Sequence, residues 1–305
     1  MREPAPGMEL RKLGGGAYLL PGSPCTLILP TRDVVVVIDP GYPRERAKQI
    51  LEAISGMLEG AREAAILLTH SHSDHVAAVS DLASATSSKV LASRVEACAA
   101  EHPGLRGSLT FGGRPPEGFI HSLEAVPAPV DEAFSPPAEL YGLEAIPTEG
   151  HSFGHVSFLT DRGILYAGDC VFGERLLRSV VVPYHADYAS ALNTLDRLLG
   201  MMDSLEKVVP SHGPVVSGGR AKRLVEANLD ALEALPRRAA EATRGRPMPV
   251  EQIAARILLG GGARLSPSSI TLACVTLRSM LGHLMELGRA EVRASEAGVL
   301  WRLEV

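Results

Sequence analysis

Four side chains able to hold a metal fall within six residues of this chain, in the run His70-Ser71-His72-Ser73-Asp74-His75. The run follows an apolar strand candidate, Ala65 to Thr69. It precedes a small-residue helix from Asp74 that carries Val76, Ala77, Val79, Leu82 and Ala83. Side chains alternate along a strand, so a strand end feeding a turn can send His70 and His72 to one side. The first turn of the helix then delivers Asp74 and His75 to the neighbouring volume. Imidazole nitrogen and carboxylate oxygen are the donors that zinc or a similar divalent ion binds, at roughly 2.0–2.2 Å. A solvated polar turn is the plainer reading, and the dense spacing between apolar flanks argues against it.

Three further positions repeat the design. His151 follows Pro147-Thr148-Glu149-Gly150, Asp169 follows the apolar run Gly163 to Ala167, and His212 follows Val208-Val209-Pro210-Ser211. Each is a metal-competent residue at the C-terminal end of an apolar strand. Each also has a glycine beside it, which permits close backbone approach.

The rest of the chain supplies the frame. Short apolar runs at Ala17 to Leu20, Thr26 to Leu29 and Val34 to Ile38 read as strands, and Arg44 to Leu58 has helical spacing. Lys89 to Ala92 reads as a strand and Val95 to Ala100 as a helical stub. Residues 102 to 138 are rich in Pro and Gly and read as loop, either a substrate lid or a surface connection. Strands resume at Leu140 to Ile146, Val156 to Thr160, Gly163 to Ala167 and Lys207 to Val209, with helices at Ala189 to Met202 and Ala221 to Leu235. The body is mixed α/β. A composition shift at Arg244 to Pro249 precedes helices Val250 to Leu259 and Ser268 to Leu287, then a hairpin from Ala290 to Val305. Helices followed by a terminal hairpin suggest a winged-helix-like module, which divides the chain into 1–245 and 246–305.

The 305-residue length fits two domains, and 46% hydrophobic with 21% charged residues excludes a disordered chain. The four cysteines are far apart and form no C-x-x-C pair, which argues against a disulfide scaffold or a structural zinc knuckle. No apolar run is long enough for a membrane span and no signal peptide is expected, so the expected location is a reduced cytoplasm. The net charge of −5 offers no general attraction to a polyanion, although a local basic patch remains compatible with it.

These motifs resemble the metallo-β-lactamase-fold hydrolases: His-x-His-x-Asp-His at 70–75, Gly-His at 151, Gly-Asp at 169 and Ser-His-Gly around 212. Ile38-Asp39-Pro40-Gly41 looks like that family's buried aspartate turn, and the match runs from about residue 8 to 235. The resemblance implies an αββα sandwich with two divalent metal ions at one edge. These would be zinc, with manganese or iron accepted by the same ligand types. It implies that His70, His72 and His151 hold one ion, that Asp74, His75 and His212 hold the other, and that Asp169 bridges them. Asp39 would orient a ligand from behind. Catalysis would use a metal-bridging hydroxide positioned by Asp74 and Asp169. Tyr184 and His185 are candidates for substrate contact, while His155 reads as a supporting or structural histidine. His102, His121 and His283 have no motif context and read as structural.

Departures narrow the choice. Di-iron flavoproteins of this fold carry Glu where this chain has His72, and class B β-lactamases carry Cys or Ser where it has Asp169. The neighbouring Cys170 reads as a packing residue. The leading expectation is cleavage of a small thioester or ester, resembling glyoxalase II-like or lactonase-like members. The alternative is an endoribonuclease of the β-lactamase-like type, since some members carry a C-terminal module of this kind. Residues 246–305 hold seven Arg and five Glu and no Lys, and the second helix has one basic residue, Arg278, apart from His283. A phosphate-contacting helix is usually richer in cations. The module therefore reads first as packing or homodimerisation material, and nucleic acid is disfavoured as a partner against a small-molecule substrate. A non-catalytic regulator and a mononuclear iron dioxygenase are further readings, the former disfavoured by the full ligand set.

Overall fold

A computed structural model describes residues 10–58, 61, 63–119 and 126–303. The backbone divides into two compact units. A sheet unit takes residues up to 147, 154–169 and 204–217; a helical unit takes 148–153, 170–203 and 218 onward. His121 and the last two residues of the expected hairpin, 304 and 305, lie outside the described residues.

In the sheet unit, seven strands lie side by side in chain order. They are β1 (Arg11–Gly14), β2 (Ala17–Leu20), β3 (Thr26–Pro30), β4 (Val34–Ile38), β5 (Glu63–Leu67), β6 (Lys89–Ser93) and β7 (Glu132–Phe134). The first four pair antiparallel; β4 through β7 pair parallel. Helix α1 (Arg46–Leu58) connects β4 to β5, and α2 (Ser73–Val76) with α3 (Val79–Thr86) connect β5 to β6. Helices α4 (Arg94–Glu101) and α5 (Gly104–Phe111) follow β6.

The second sheet holds β8 (Ala138–Leu140), β9 (Leu143–Pro147), β10 (Val156–Thr160), β11 (Ile164–Gly168), β12 (Lys207–Pro210) and β13 (Val216–Ser217), in the order β13-β12-β11-β10-β9-β8. Only β11 and β12 pair parallel among its neighbours.

Strand alternation builds the core. Val34, Val36 and Ile38 share an apolar layer with Leu143, Val156, Phe158 and Tyr166 of the second sheet. Val35 and Val37 point the other way, into a layer with Ile50 and Ile54 of α1 and Val79 and Leu82 of α3. Burial on both faces explains why β4 is an unbroken aliphatic run rather than an alternating one.

Several expectations shift. The helix expected from Asp74 to Ala83 is two helices, because Ala78 N donates to Gly41 O (3.1 Å) instead of turning back along the helix. Gly41 N in return donates to His75 O at 2.9 Å. The strand expected over Leu140 to Ile146 is a hairpin. Tyr141 and Gly142 both take positive φ, 53° and 81°, in the two-residue turn between paired Leu140 and Leu143. The span 102–138, expected as loop, contains α5 and β7. There Pro103 and Gly112 punctuate a helix; Gly112 ends it in the left-handed conformation, φ 81°. Strands β1 and β13 and a short helix α6 (Glu174–Val180) were not expected.

The helical unit holds α6, α7 (Tyr188–Gly200), α8 (Gly218–Thr243), α9 (Val250–Gly260), α10 (Pro267–Glu286) and the hairpin β14 (Ala290–Ser295) with β15 (Gly298–Leu303). A capping box between Ser266 and Ser269 starts α10. Helix α8 runs well past Leu235, with Pro236 inside it. Proline has no N–H for the carbonyl four residues back, which is that of Leu232. Tyr188 OH donates to that carbonyl at 3.3 Å. Burial pushes the Tyr188 phenol up to about 12, with Glu233 adding and Arg289 opposing, so the hydroxyl keeps its proton. Tyr188→Phe is expected to cost about 1 kcal/mol and to lower Tm by roughly 2–4 °C, read by calorimetry.

Among the described residues, no helix is long and apolar enough to cross a membrane.

Candidate metal centre

Two parallel strand pairs, β4 with β5 and β11 with β12, end at the same edge of the sheet unit, and their C-terminal turns carry the site. Parallel pairing places Asp39 beside the end of β5, where Asp39 N donates to Leu67 O at 3.0 Å. Asp39 has φ 50°, a left-handed conformation that aspartate tolerates better than most side chains. Its carboxylate is fully buried and accepts three hydrogen bonds. Thr69 N donates to Oδ1 at 2.9 Å, Thr69 Oγ1 to Oδ2 at 2.6 Å, and His75 Nδ1 to Oδ2 at 2.8 Å.

This arrangement fixes tautomers. Because His75 Nδ1 donates to Asp39, Nε2 is the nitrogen whose lone pair opens to a metal once its proton leaves. Thr69 Oγ1 gives its proton to Asp39, so it accepts at 3.0 Å from His70 Nδ1, and the His70 lone pair also lies on Nε2. At His212, Nδ1 meets Ser23 Oγ at 2.8 Å, leaving Nε2 toward the carboxylates.

In the sheet unit these nitrogens converge. His75 Nε2 is buried with no hydrogen-bond partner, 3.4 Å from Asp169 Oδ1 and 3.9 Å from Asp74 Oδ2. His212 Nε2 lies 3.2 Å from Asp74 Oδ2 and 3.6 Å from Asp169 Oδ1. Asp74, His75 and His212 offer ligand atoms all within 4.8 Å of one another. His70 Nε2 and His72 Nδ1 are 3.0 Å apart, close to the roughly 3.3 Å between ligands on a tetrahedral ion with bonds near 2.0 Å. Asp39, His70 and His75 are equally close, but the three donors around Asp39 make it a support and not a ligand.

Charge follows the geometry. Burial disfavours ionisation of Asp74, but His75 and His212 outweigh it and hold its carboxyl at about 2. Burial also works against the His75 cation, and Asp169, Asp39 and Asp74 overcome it, raising that histidine well above its ordinary value. His212 is raised as well: burial opposes its charge, and Asp169 and Asp74 favour it. A buried imidazole nitrogen facing two carboxylates without a partner is costly. A divalent cation is the group that satisfies all of them, so the donor set fits a metal.

Asp169 is held from behind. Its backbone N donates to His155 Nε2 at 3.1 Å, and Ser211 Oγ donates to its Oδ1. Gly168 before it has φ 57°, and a Cβ there would lie 2.6 Å from His155 Nε2. His155 is thus a buried support, as its lack of a place in the ligand motif implied.

In the helical unit, His151 Nδ1 donates to Tyr184 O at 3.0 Å, which again leaves the lone pair on Nε2. Its ring lies 5.3 Å from Tyr184, 5.7 Å from Phe172 and 6.0 Å from His185. Tyr184 and His185, the candidates for substrate contact, are therefore neighbours of His151, and His185 is buried. Thr276 of α10 anchors their segment: its Oγ1 accepts from His185 N at 2.8 Å and donates to Pro183 O at 3.0 Å. Cys170 is buried and in no disulfide; His102 closes α4, and His283 packs its ring 5.9 Å from Tyr188.

Sequence reading did not single out Thr69, Ser23, Ser211, Thr276, Glu96 or Arg106. Arg106 of α5 is buried with Nε and Nη1 lacking a partner, while Nη2 donates to Val126 O at 3.2 Å. Burial draws it down to about 10, opposed by Glu96 and Asp74. Ser211 stands in the Ser-His-Gly motif without being a ligand, and for all six only tertiary contact gives the side chain a role.

A family model for the metallo-beta-lactamase superfamily matches residues 20–212, and the chain belongs to that superfamily. It is similar to a hydroxyacylglutathione hydrolase of Methylobacillus flagellatus, 29% identical over 138 residues, or 45% of this chain and 43% of that protein. The alignment thus spans less than half of that relative's length. It is 25% identical to the probable metallo-hydrolase YqgX of Bacillus subtilis over 60% of this chain and 81% of the relative. The hydroxyacylglutathione hydrolase GloC of Haemophilus influenzae is 24% identical over 65% of this chain and 89% of its own. A beta-lactamase domain protein from Burkholderia ambifaria has a similar fold, with a TM-score of 0.69 at 20% identity, covering 99% of this chain and 95% of the other.

Proposed function

We propose that the chain is a binuclear metal-dependent hydrolase that cleaves a small thioester or ester. The observation that carries this reading is His75 Nε2, buried and without a hydrogen bond between the carboxylates of Asp74 and Asp169, with His212 beside them. We assign one ion to His70, His72 and His151, the other to Asp74, His75 and His212, and a bridging place to Asp169. Zinc suits these donors, and manganese and iron are accepted by the same types. When bound, two such ions supply Lewis acidity and a water activated near neutral pH.

The chain's own residues do the rest. Asp39, Thr69 and Tyr184 engage Nδ1 of three imidazoles so that Nε2 is the nitrogen turned to a metal, and Ser23 holds a fourth ring, His212, at Nδ1. Asp74 and Asp169 present ionised oxygens that orient the attacking water. The hydroxyacylglutathione hydrolases among the similar proteins support an ester or thioester substrate, as does the net charge of −5. Buried Cys25, Cys170 and Cys274 stand outside any disulfide, which supports our reading of a cytoplasmic protein. We read residues 246–305, with α9, α10 and the hairpin, as a winged-helix-like module used in packing or homodimerisation.

The test is metal-stripped protein titrated with zinc or manganese and assayed on S-lactoylglutathione, small esters, lactones and labelled single-stranded RNA. Metal-dependent turnover of a thioester or ester is expected. Turnover of RNA alone, or of nothing, would overturn the assignment.

A further inference from the structure

We propose that Glu96 is a positioning residue for the His70–His72 pair, a counterpart to Asp39 on the other side of the same loop. This rests on the metal centre proposed above. Glu96 lies in the first turn of α4 and is 2% exposed. Its Oε2 accepts from Ser71 N at 2.8 Å and from Ser71 Oγ at 2.7 Å. Ser71 is the residue between the two histidines, so one carboxylate oxygen pins the backbone from which both rings project. Oε1 accepts from Gly154 N at 3.1 Å.

The Gly154 contact extends the clamp. Ser93 Oγ donates to Gly154 O at 2.6 Å, and a Cβ on Gly154 would lie 2.7 Å from that oxygen. The loop therefore seats directly on the start of α4. The next residue, His155, accepts from Asp169 N at 3.1 Å. Glu96 thus ties the His70–His72 turn to the corner that supports Asp169, and all these residues belong to the sheet unit.

Ser93-Arg94-Val95-Glu96 has the spacing of a helix capping box, in which the glutamate reaches back to the cap's own N–H. Here Ser93 Oγ accepts from Glu96 N at 3.4 Å, but the carboxylate crosses to Ser71 and Gly154. Helix capping alone gives no reason for that direction. Fixing the pair of histidines does, because a ligand ring held only by its own rotamer loses affinity to disorder.

The test uses the full chain. Zinc dissociation constants are measured by competition with a chromophoric chelator, alongside cobalt(II) absorption spectra and thermal melts of the metal-free protein. Glu96→Ala is expected to weaken one of two bound zinc ions about 10–100-fold and to alter the cobalt spectrum. Glu96→Gln turns one carboxylate oxygen into a donor facing a donor, and is expected to fall between Ala and wild type. Val90→Ala, a core change in β6 away from the clamp, should lower the melting temperature and leave zinc affinity within about twofold. Should Glu96→Ala not fold, Ser71→Ala removes a single bond of the clamp and is expected to weaken the same ion several-fold. Glu96 variants with wild-type affinity and superimposable cobalt spectra would overturn the proposal while leaving the metal centre intact. Wild-type protein that takes up no zinc would overturn both.

Discussion

Asp39→Asn is expected to strip the centre of metal while leaving the fold standing. The substitution is isosteric, and Asn tolerates the φ of 50° at this position. The Thr69 N bond survives on the amide oxygen. The other carboxylate oxygen becomes an NH2 facing Thr69 Oγ1 and His75 Nδ1, at 2.6 and 2.8 Å in the wild type. Its two hydrogens must be accepted there. His75 then carries its own proton on Nε2, where a metal needs a lone pair. Thr69 Oγ1, now an acceptor, turns its proton toward His70 Nδ1 and moves the His70 proton to Nε2 as well. One atom therefore reverses the hydrogen-bond chain to two ligands. Bound metal per chain should fall from the proposed two to below one, measured by elemental analysis after dialysis. Hydrolysis should fall about 100-fold or more, with the metal-free melting temperature within a few degrees of wild type. Full metal content in the variant would refute the tautomer argument.

Asp169→Ala should have the largest effect on activity. Its Oδ1 stands 3.4 Å from His75 Nε2 and 3.6 Å from His212 Nε2. Truncation leaves both imidazoles and the Ser211 hydroxyl facing an empty volume. It also removes the negative charge that helps hold His75 and His212 above their ordinary values. With the proposed bridge gone, the two ions lose their shared ligand, and kcat/KM is expected to fall by about 10³-fold or more. The side chain contributes no apolar packing, so the loss should appear in activity and metal content rather than in secondary structure by circular dichroism. Activity within tenfold of wild type would mean that Asp169 is not the bridge.

Much of this site was legible in sequence because its donors are chemically unusual side chains in fixed places. Histidine and aspartate at the ends of β5, β11 and β12 stand out against apolar runs, and parallel pairing brings their turns to one edge. Asp39 and His155 apart, the side chains that support them were not legible. Thr69, Ser23 and Ser211 are common turn residues, and Ser23 meets His212 from 189 positions away. Glu96 was hidden differently, since its local spacing fits a helix cap. Element boundaries failed where a tertiary hydrogen bond overruled local preference. Gly41 splits the helix after His75, and Tyr188 accompanies the continuation of α8 through Pro236. The Tyr141-Gly142 turn was readable in principle, because a glycine inside an apolar run signals a reversal.

The Nδ1 atoms of His70, His75, His151 and His212 are all engaged by oxygens of the protein itself. Much of the cost of orienting the ligands is thus borne by folding, before any ion arrives. Such a centre differs from a zinc finger, whose fold depends on its ion. On the proposed metal centre, an ion would leave and return to ligands that the protein's own hydrogen bonds hold in place. Exchange then becomes an ordinary binding equilibrium, and the resident ion reflects the supply of metals around the protein as much as the chain's own preference.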